Sequence, residues 1–293
     1  MPKVKLSPSK EFSASDSRIV HLIDGTYELF RHFYGLRRFN KGEDKPLGAV
    51  IGVLNTVLQM IETGATHVGV ATDHVIESFR NTLWPGYKTG EGMEPALLAQ
   101  FHPLEDAIRA MGVVVWPMIE LEADDALASA AKIACENPEV QKVCIWTPDK
   151  DLAQCVRGDR VVQVDRRNQK IRDATGVREK FGVEPLLIPD FLALVGDAAD
   201  GYPGIAGIGS VTAARLLNKH GMIEDFPAEV LGDKRDLALL FKNLASLRTD
   251  AALFRNVDGL RWRGPTEAFA ACVERLGDAR LLQRCLAAQK AAQ

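Results

Sequence analysis

The sequence predicts an α/β protein, a mostly parallel sheet flanked by helices over roughly its first 180 residues, with a helical module after it. Three observations carry this. Short β-branched runs alternate with stretches of helical periodicity up to Phe181, and strands separated by helices require crossover connections. Beyond that point strand signals disappear, and helices joined by short turns surround a Gly-rich stretch from Gly201 to Gly209. The composition, 46% hydrophobic and 26% charged over 293 residues, is that of an ordinary globular chain.

The elements follow in order. Met1 to Ser17 is rich in Ser, Lys and Pro without an apolar core, so it reads as a disordered leader and not a signal peptide. Arg18 to Ile23 is a first strand, ended by Asp24-Gly25. Leu47, Val50, Ile51, Leu54, Leu58 and Ile61 recur at helical spacing, and Gly64 stops that helix. His67 to Thr72 is a second strand, ending at Asp73. Leu97, Phe101, Leu104, Ile108 and Met111 mark one helix closed by Gly112, and Val113 to Trp116 form a third strand. Ala123 to Cys135 is an Ala-rich helix. Val143 to Trp146 is a fourth strand, followed by Thr147-Pro148-Asp149, and Val161 to Val164 a fifth. From about Gly259 the chain is helical and carries no motif. The expected division is a leader at 1–17, a sheet domain at 18–180, and a helical module with C-terminal helices at 181–293.

No apolar run is long enough to span a bilayer. The five cysteines form no CxxC pair and none lies at zinc-ligand spacing from a histidine, which predicts reduced thiols in a cytoplasm. The net charge of −3 gives no global attraction to nucleic acid, so any such role must rest on local sites.

The acidic residues sit at telling places. Asp24 follows the first strand and Asp73 the second; Glu122, Asp124 and Asp125 follow the third; Asp149 and Asp151 follow the fourth. In a parallel sheet the carboxyl ends of the strands share one edge, where such folds place their sites. Singly, each has a plain alternative: Asp124 and Asp125 favour a helix N-terminus, Asp149 caps a helix, and Asp24-Gly25 is a turn pair. Together on one edge they point to cations, because packed carboxylates repel and desolvation adds to the cost. All-oxygen ligands suit Mg²⁺ or Mn²⁺ and argue against zinc or copper. Two ions roughly 4 Å apart are the usual arrangement for phosphodiester hydrolysis.

These segments resemble the 5′-nuclease family, which includes flap endonucleases, phage 5′ exonucleases and the N-terminal domain of bacterial DNA polymerase I. The matches run from about Val20 to Leu217. They are Leu22-Ile23-Asp24-Gly25; Ala71-Thr72-Asp73 with Ser78-Phe79-Arg80; Tyr87-Lys88 of the family's arch; Glu122-Ala123-Asp124-Asp125; Thr147-Pro148-Asp149-Lys150-Asp151-Leu152; and Gly196-Asp197-Ala198-Ala199-Asp200-Gly201-Tyr202-Pro203-Gly204 with Gly207-Ile208-Gly209. The resemblance implies a PIN-like sheet domain and a helix–three-turn–helix module. It implies that Asp24, Asp73, Glu122 and Asp124 hold a first metal and Asp149, Asp151 and Asp200 a second. Asp125 and Asp197 would act as outer ligands through water. Lys88 would stabilise the scissile phosphate, and Arg80 would orient a phosphate or brace the arch. Arg31 matches a basic position near the site, and Tyr34 would stack on a terminal base, while Phe33 packs inward. Tyr87 belongs with Lys88 to the DNA-contacting arch.

The Gly-rich stretch has its own physical reading. Gly204, Gly207 and Gly209 let the backbone approach a phosphate, and the helix starting near Ser210 aims its free N–H groups there. That gives a sequence-independent grip on duplex DNA. A dinucleotide fingerprint would follow a strand, whereas Leu186 to Val195 is helical in pattern. The family also holds K⁺ at this loop through carbonyls. Two positions depart from the pattern: Glu91 stands where an arginine is common, and Val211 where a lysine is common. No polymerase segment follows, so a stand-alone form is expected. The implied activity is metal-dependent 5′→3′ exonuclease or 5′-flap endonuclease action on DNA with 5′ ends or flaps, in repair and replication. An RNA-directed PIN-like nuclease and a catalytically silent DNA-binding protein are the alternatives.

Overall fold

The structure is a computed structural model and describes residues 18–39 and 46–292. The leader expected at 1–17 lies outside the described residues. The sheet domain runs β1 (Arg18–Asp24), α1 (Gly25–Phe39), α2 (Gly48–Glu62), β2 (His67–Asp73), α3 (Arg80–Leu83), α4 (Pro95–Leu98), α5 (Phe101–Ala110), β3 (Val114–Met118), α6 (Ala123–Glu136), β4 (Val140–Trp146), β5 (Val161–Asp165) and β6 (Lys170–Arg172). The remainder is helical: α7 (Ala174–Phe181), α8 (Ile188–Val195), α9 (Ser210–His220), α10 (Ala228–Leu231), α11 (Arg235–Ala245), α12 (Ala268–Leu276) and α13 (Ala279–Ala291).

The strand order is β3-β2-β1-β4-β5-β6. The first five strands are parallel, and β6 returns antiparallel to β5. The chain builds outward from β1 to β2 and β3, then crosses to the other side of β1 for β4. The switch point therefore lies at the carboxyl end of β1, where a parallel sheet opens a crevice. Both faces of the sheet are covered. Val20, Leu22 and Ile145 pack under α6, while Ile23 and Val70 pack with Leu54, Leu58 and Ile108 from α2 and α5. Burial on both sides explains why β1 reads as a nearly continuous apolar run.

Three features differ from the sequence reading. The helix expected over 97–111 is broken into α4 and α5, because the buried Gln100 between them turns its side-chain oxygen to the Ala49 and Val50 N–H groups at the start of α2. The β6 strand escaped notice, being three residues long and carrying Lys170 and Arg172. The C-terminal helices do not pack with the rest of the helical module: Trp262, Phe269, Leu281 and Cys285 join the α2–α5 core, whereas the module closes around Tyr202, Leu192 and Phe241. All five cysteines are free, and among the described residues no helix is long and apolar enough to cross a membrane.

Candidate metal centre

The carboxyl edge gathers acidic side chains from five separate stretches of chain. Asp24 closes β1, and its two oxygens accept the Tyr27 N–H at 2.8 Å and the Thr147 hydroxyl at 3.0 Å. Asp73 closes β2 and accepts the Ala123 N–H at 2.8 Å, which ties it to the start of α6. Glu122 is the N-cap of α6; one of its oxygens accepts from Ser78 and Arg80, the other from Tyr87 and Lys88. Asp149 follows β4 and accepts the Asp151 N–H at 2.9 Å. The loop between α8 and α9 delivers Asp197 and Asp200 to the same edge.

That loop is held by its glycines. Gly196 and Gly204 both have positive φ, at 84° and 72°, and a Cβ on Gly204 would lie 2.3 Å from the Gly196 nitrogen. Only glycine permits that approach. Asp197 and Tyr202 then exchange two backbone hydrogen bonds, and the Lys88 N–H donates to the Asp200 carbonyl at 3.0 Å.

Two carboxylate triads result. Ligand oxygens of Asp124, Asp149 and Asp151 lie within 4.8 Å of one another, as do those of Asp151, Asp197 and Asp200. Asp151 belongs to both, and its Oδ1 is buried with no hydrogen-bond partner. A buried, unpartnered carboxylate oxygen shared by two acidic triads fits a pair of hard divalent cations. The titration behaviour agrees. Burial, then Asp73 and Asp149, push the Asp24 carboxyl up to about 7 against its hydrogen bonds. Burial, then Asp149 and Asp24, hold Asp124 well above the usual carboxylate range; burial, then Asp149 and Asp200, do the same to Asp151. Glu122 differs: burial would raise it, but Lys88 and Arg80 outweigh burial and hold it below its ordinary value. Two lysines are the counterions. Lys88 Nζ sits 2.8 Å from Glu122 and 3.0 Å from Asp200, and Lys150 Nζ lies 2.6 Å from Asp197. No role had been expected for Lys150; its place between Asp149 and Asp151 in the chain was the available signal.

Several expected roles do not match the geometry. Asp125 is fully buried and turned away from the triads. Its oxygens accept from both terminal nitrogens of Arg80 and from the Glu122 and Arg248 N–H groups, which leaves no lone pair for a metal-bound water. Arg80 is 1% exposed and donates to Glu122, Asp125 and the Leu244 and Ser246 carbonyls, so it has no donor left for a phosphate. It braces the sheet domain against the end of α11. Tyr87 is buried with its hydroxyl on Glu122, out of reach of DNA. Gly204 serves the fold of its own loop. Glu91, which stands where an arginine is common, is exposed in a turn, and its N–H donates to the Thr89 hydroxyl.

Other expected residues do face outward. Tyr34 is 46% exposed on α1 and edge-packed on Phe33, whose ring is buried. Arg31 pairs with the buried Glu28. Nothing stands within 4 Å of a Cβ built on Gly207 or Gly209, so their backbones are open to a ligand, and Ser210 starts α9 beside them. Val211 is 86% exposed.

Comparison with known proteins agrees with this architecture. Residues 19–182 match the family described as 5′-3′ exonuclease, N-terminal resolvase-like domain, and residues 183–268 match 5′-3′ exonuclease, C-terminal SAM fold. The chain is 31% identical over 264 residues to a 5′-3′ exonuclease of Aquifex aeolicus, covering 85% of this chain and 88% of that protein. It is 34% identical over 261 residues to DNA polymerase I of Pseudomonas aeruginosa, covering 82% of this chain but 28% of that protein. The fold is shared with the T5 D15 flap endonuclease solved as a complex with DNA and metal ions, at a TM-score of 0.63, 18% identity, and coverage of 93% of this chain and 98% of that one.

Proposed function

This chain belongs to the 5′-3′ exonuclease family, and on that premise we propose that it is a divalent-metal-dependent nuclease that hydrolyses DNA phosphodiesters at or near 5′ ends and 5′ flaps. The observation that carries the reading is the Asp151 Oδ1 atom, buried without a partner where two acidic triads meet. Asp24, Asp73, Glu122 and Asp124 would contribute to one ion and Asp149, Asp151 and Asp200 to another, with Asp124 close enough to Asp149 and Asp151 to serve both and Asp197, expected as an outer ligand, beside Asp151 and Asp200. The set holds only carboxylates, which favours Mg²⁺ or Mn²⁺. Such ions, when bound, activate water and stabilise the charge that develops on the phosphate and the leaving oxygen.

The chain's own residues then have defined tasks. Thr147 and the Tyr27 N–H orient Asp24, and the Ala123 N–H orients Asp73. Lys88 holds a positive charge between Glu122 and Asp200 and is placed to meet a phosphate that displaces either carboxylate. Gly207, Gly209 and Ser210 offer open backbone to duplex phosphates, and the same loop is the place for a K⁺ ion held by carbonyls. The working division of labour falls near residue 180, with metal chemistry before it and duplex grip after it.

Cleavage of labelled 5′-flap, nicked, blunt and single-stranded substrates, as DNA and as RNA, tests the proposal. Mg²⁺- or Mn²⁺-dependent release of 5′-terminal DNA fragments is expected. Preference for RNA would move the substrate class, and metal-independent or absent cleavage would overturn the reading.

A further inference from the structure

Because β5 runs parallel to β4 and β1, it ends on the same edge as the acidic triads, and the turn into β6 projects there. That turn is Arg166-Arg167-Asn168-Gln169, followed by Lys170. Arg166 is half-buried, donates to the Gln59 side chain on α2, and lies within electrostatic range of Arg31 and Glu28 on α1. Arg167 is exposed and feels Tyr27, three residues from Asp24. Lys180, exposed at the end of α7 with its ammonium 4.7 Å from the Phe181 ring centre, lies within electrostatic range of Asp149 and Asp165.

Two of the carboxylates that act on this group, Glu28 and Asp165, are already engaged. Glu28 is buried and paired with Arg31. Asp165 is buried and shapes the turn by accepting the Asn168 backbone and side-chain N–H groups at 3.0 and 2.8 Å. Beneath the turn lies a further cation, Arg172, 6% exposed, with one N–H on Gln163 and its Nε unpartnered. Burial, with like-charged Arg31 in one case and Arg172 and Lys150 in the other, lowers the pKa of Arg166 and of Lys180. Cations gathered this way call for an external polyanion. The arch cannot supply the same service. Lys88 is the only Lys or Arg between Arg80 and Arg109, and it is bound to Glu122 and Asp200.

We propose that the β5–β6 turn, with Arg31 and Lys180 on either side, is a second nucleic-acid contact that holds the phosphodiester backbone of the strand passing the metal centre. The proposal rests on the nuclease reading above. It places on Arg166 and Arg167 a backbone grip that the cation-poor arch lacks, and the contact is electrostatic, without base readout.

The test is binding of a 5′-flap DNA in Ca²⁺, measured over a salt series for the full chain. Removing Arg166 and Arg167 together (R166A/R167A) should lower the slope of log Kd against log salt by about 1.4–1.8, the counterion release of two phosphate contacts, and weaken binding about tenfold or more at low salt. Arg167→Glu, at an exposed position where folding is not at stake, should weaken binding further than Arg167→Ala. Arg178→Ala removes one positive charge from an exposed residue of α7 that is paired with Glu184, and should leave the slope unchanged. An unchanged slope in R166A/R167A, or an equal drop in Arg178→Ala, overturns the proposal. If the unaltered protein cleaves flaps and R166A/R167A keeps its slope, this contact alone is wrong. If the unaltered protein neither binds nor cleaves DNA, both readings fall.

Discussion

Arg80 and Asp125 form a two-pronged ion pair, 2.7 and 2.8 Å long, in which neither side chain meets solvent. The pair lies at the joint of the molecule. Asp125 also accepts the Arg248 N–H, and Arg80 also reaches Leu244 and Ser246, so segments that follow each other at a distance of 164 residues are tied behind the metal centre. Glu122, which shares Arg80, is thereby held in place for the centre.

Arg80→Ala is expected to destabilise the protein by about 3–5 kcal/mol, since it strands a buried carboxylate. Arg80→Lys should rescue little of this, because an ammonium cannot span two carboxylates and two carbonyls in one plane. Urea unfolding measures both. Near-native stability of Arg80→Ala would mean that the joint does not depend on this pair.

Asp151→Asn and Asp124→Ala should abolish Mg²⁺-dependent cleavage yet retain DNA binding in Ca²⁺. In EDTA both should melt higher than the unaltered protein, because each removes a carboxylate that burial and its neighbours destabilise. A lower melting temperature in EDTA for both variants would contradict the repulsion argument.

The metal-free protein should lose stability as pH rises. A folded-state pKa raised above its unfolded value, as at Asp24 where it goes from 3.8 to about 7, contributes stability that is complete below about 4 and is lost as pH climbs through 7. Asp73, Asp124, Asp151 and Asp200 shift in the same direction. The gap in melting temperature between Mg²⁺-loaded and EDTA-treated protein should therefore widen from pH 5 to pH 7.5. A gap independent of pH would show that the carboxylates are not the ligands.

Lys88→Ala should lower the single-turnover rate about a hundredfold, the usual scale for one electrostatic group at a transition state, while changing Kd for DNA far less. It should also lower the stability of metal-free protein, since Glu122 and Asp200 lose their shared counterion, with Mg²⁺ restoring part of the loss. Equal effects on rate and binding would reduce Lys88 to a binding residue.

Two glycines of the same Gly-rich stretch should behave differently. Gly204→Ala places a Cβ against the Gly196 backbone at a positive φ and should impair folding. Gly209→Val meets nothing inside the protein and should leave melting unchanged while weakening duplex binding across all sequences. Circular dichroism and duplex titration separate the two; unchanged affinity in Gly209→Val would put the duplex contact elsewhere.

The strand–helix alternation and the acids closing β1, β2 and β4 were legible in the sequence, because chain order and strand parallelism together decide which edge a strand-end residue occupies. The direction of a side chain within that edge was not. Asp124 and Asp125 are adjacent at the start of α6, yet about 100° of helical rotation sends one to the metal triads and the other to Arg80. Arg80 and Tyr87 looked like surface contacts to DNA because charge and aromaticity are all that sequence shows at those positions. Their burial follows from the docking of α11 and the α8–α9 loop, elements more than a hundred residues away. Likewise the cations of the β5–β6 turn meet Arg31 only when β5 takes its place beside β4. Local pattern determines which elements form and in what order; which charges become neighbours depends on long-range packing, and that is where the partners of each buried group are chosen.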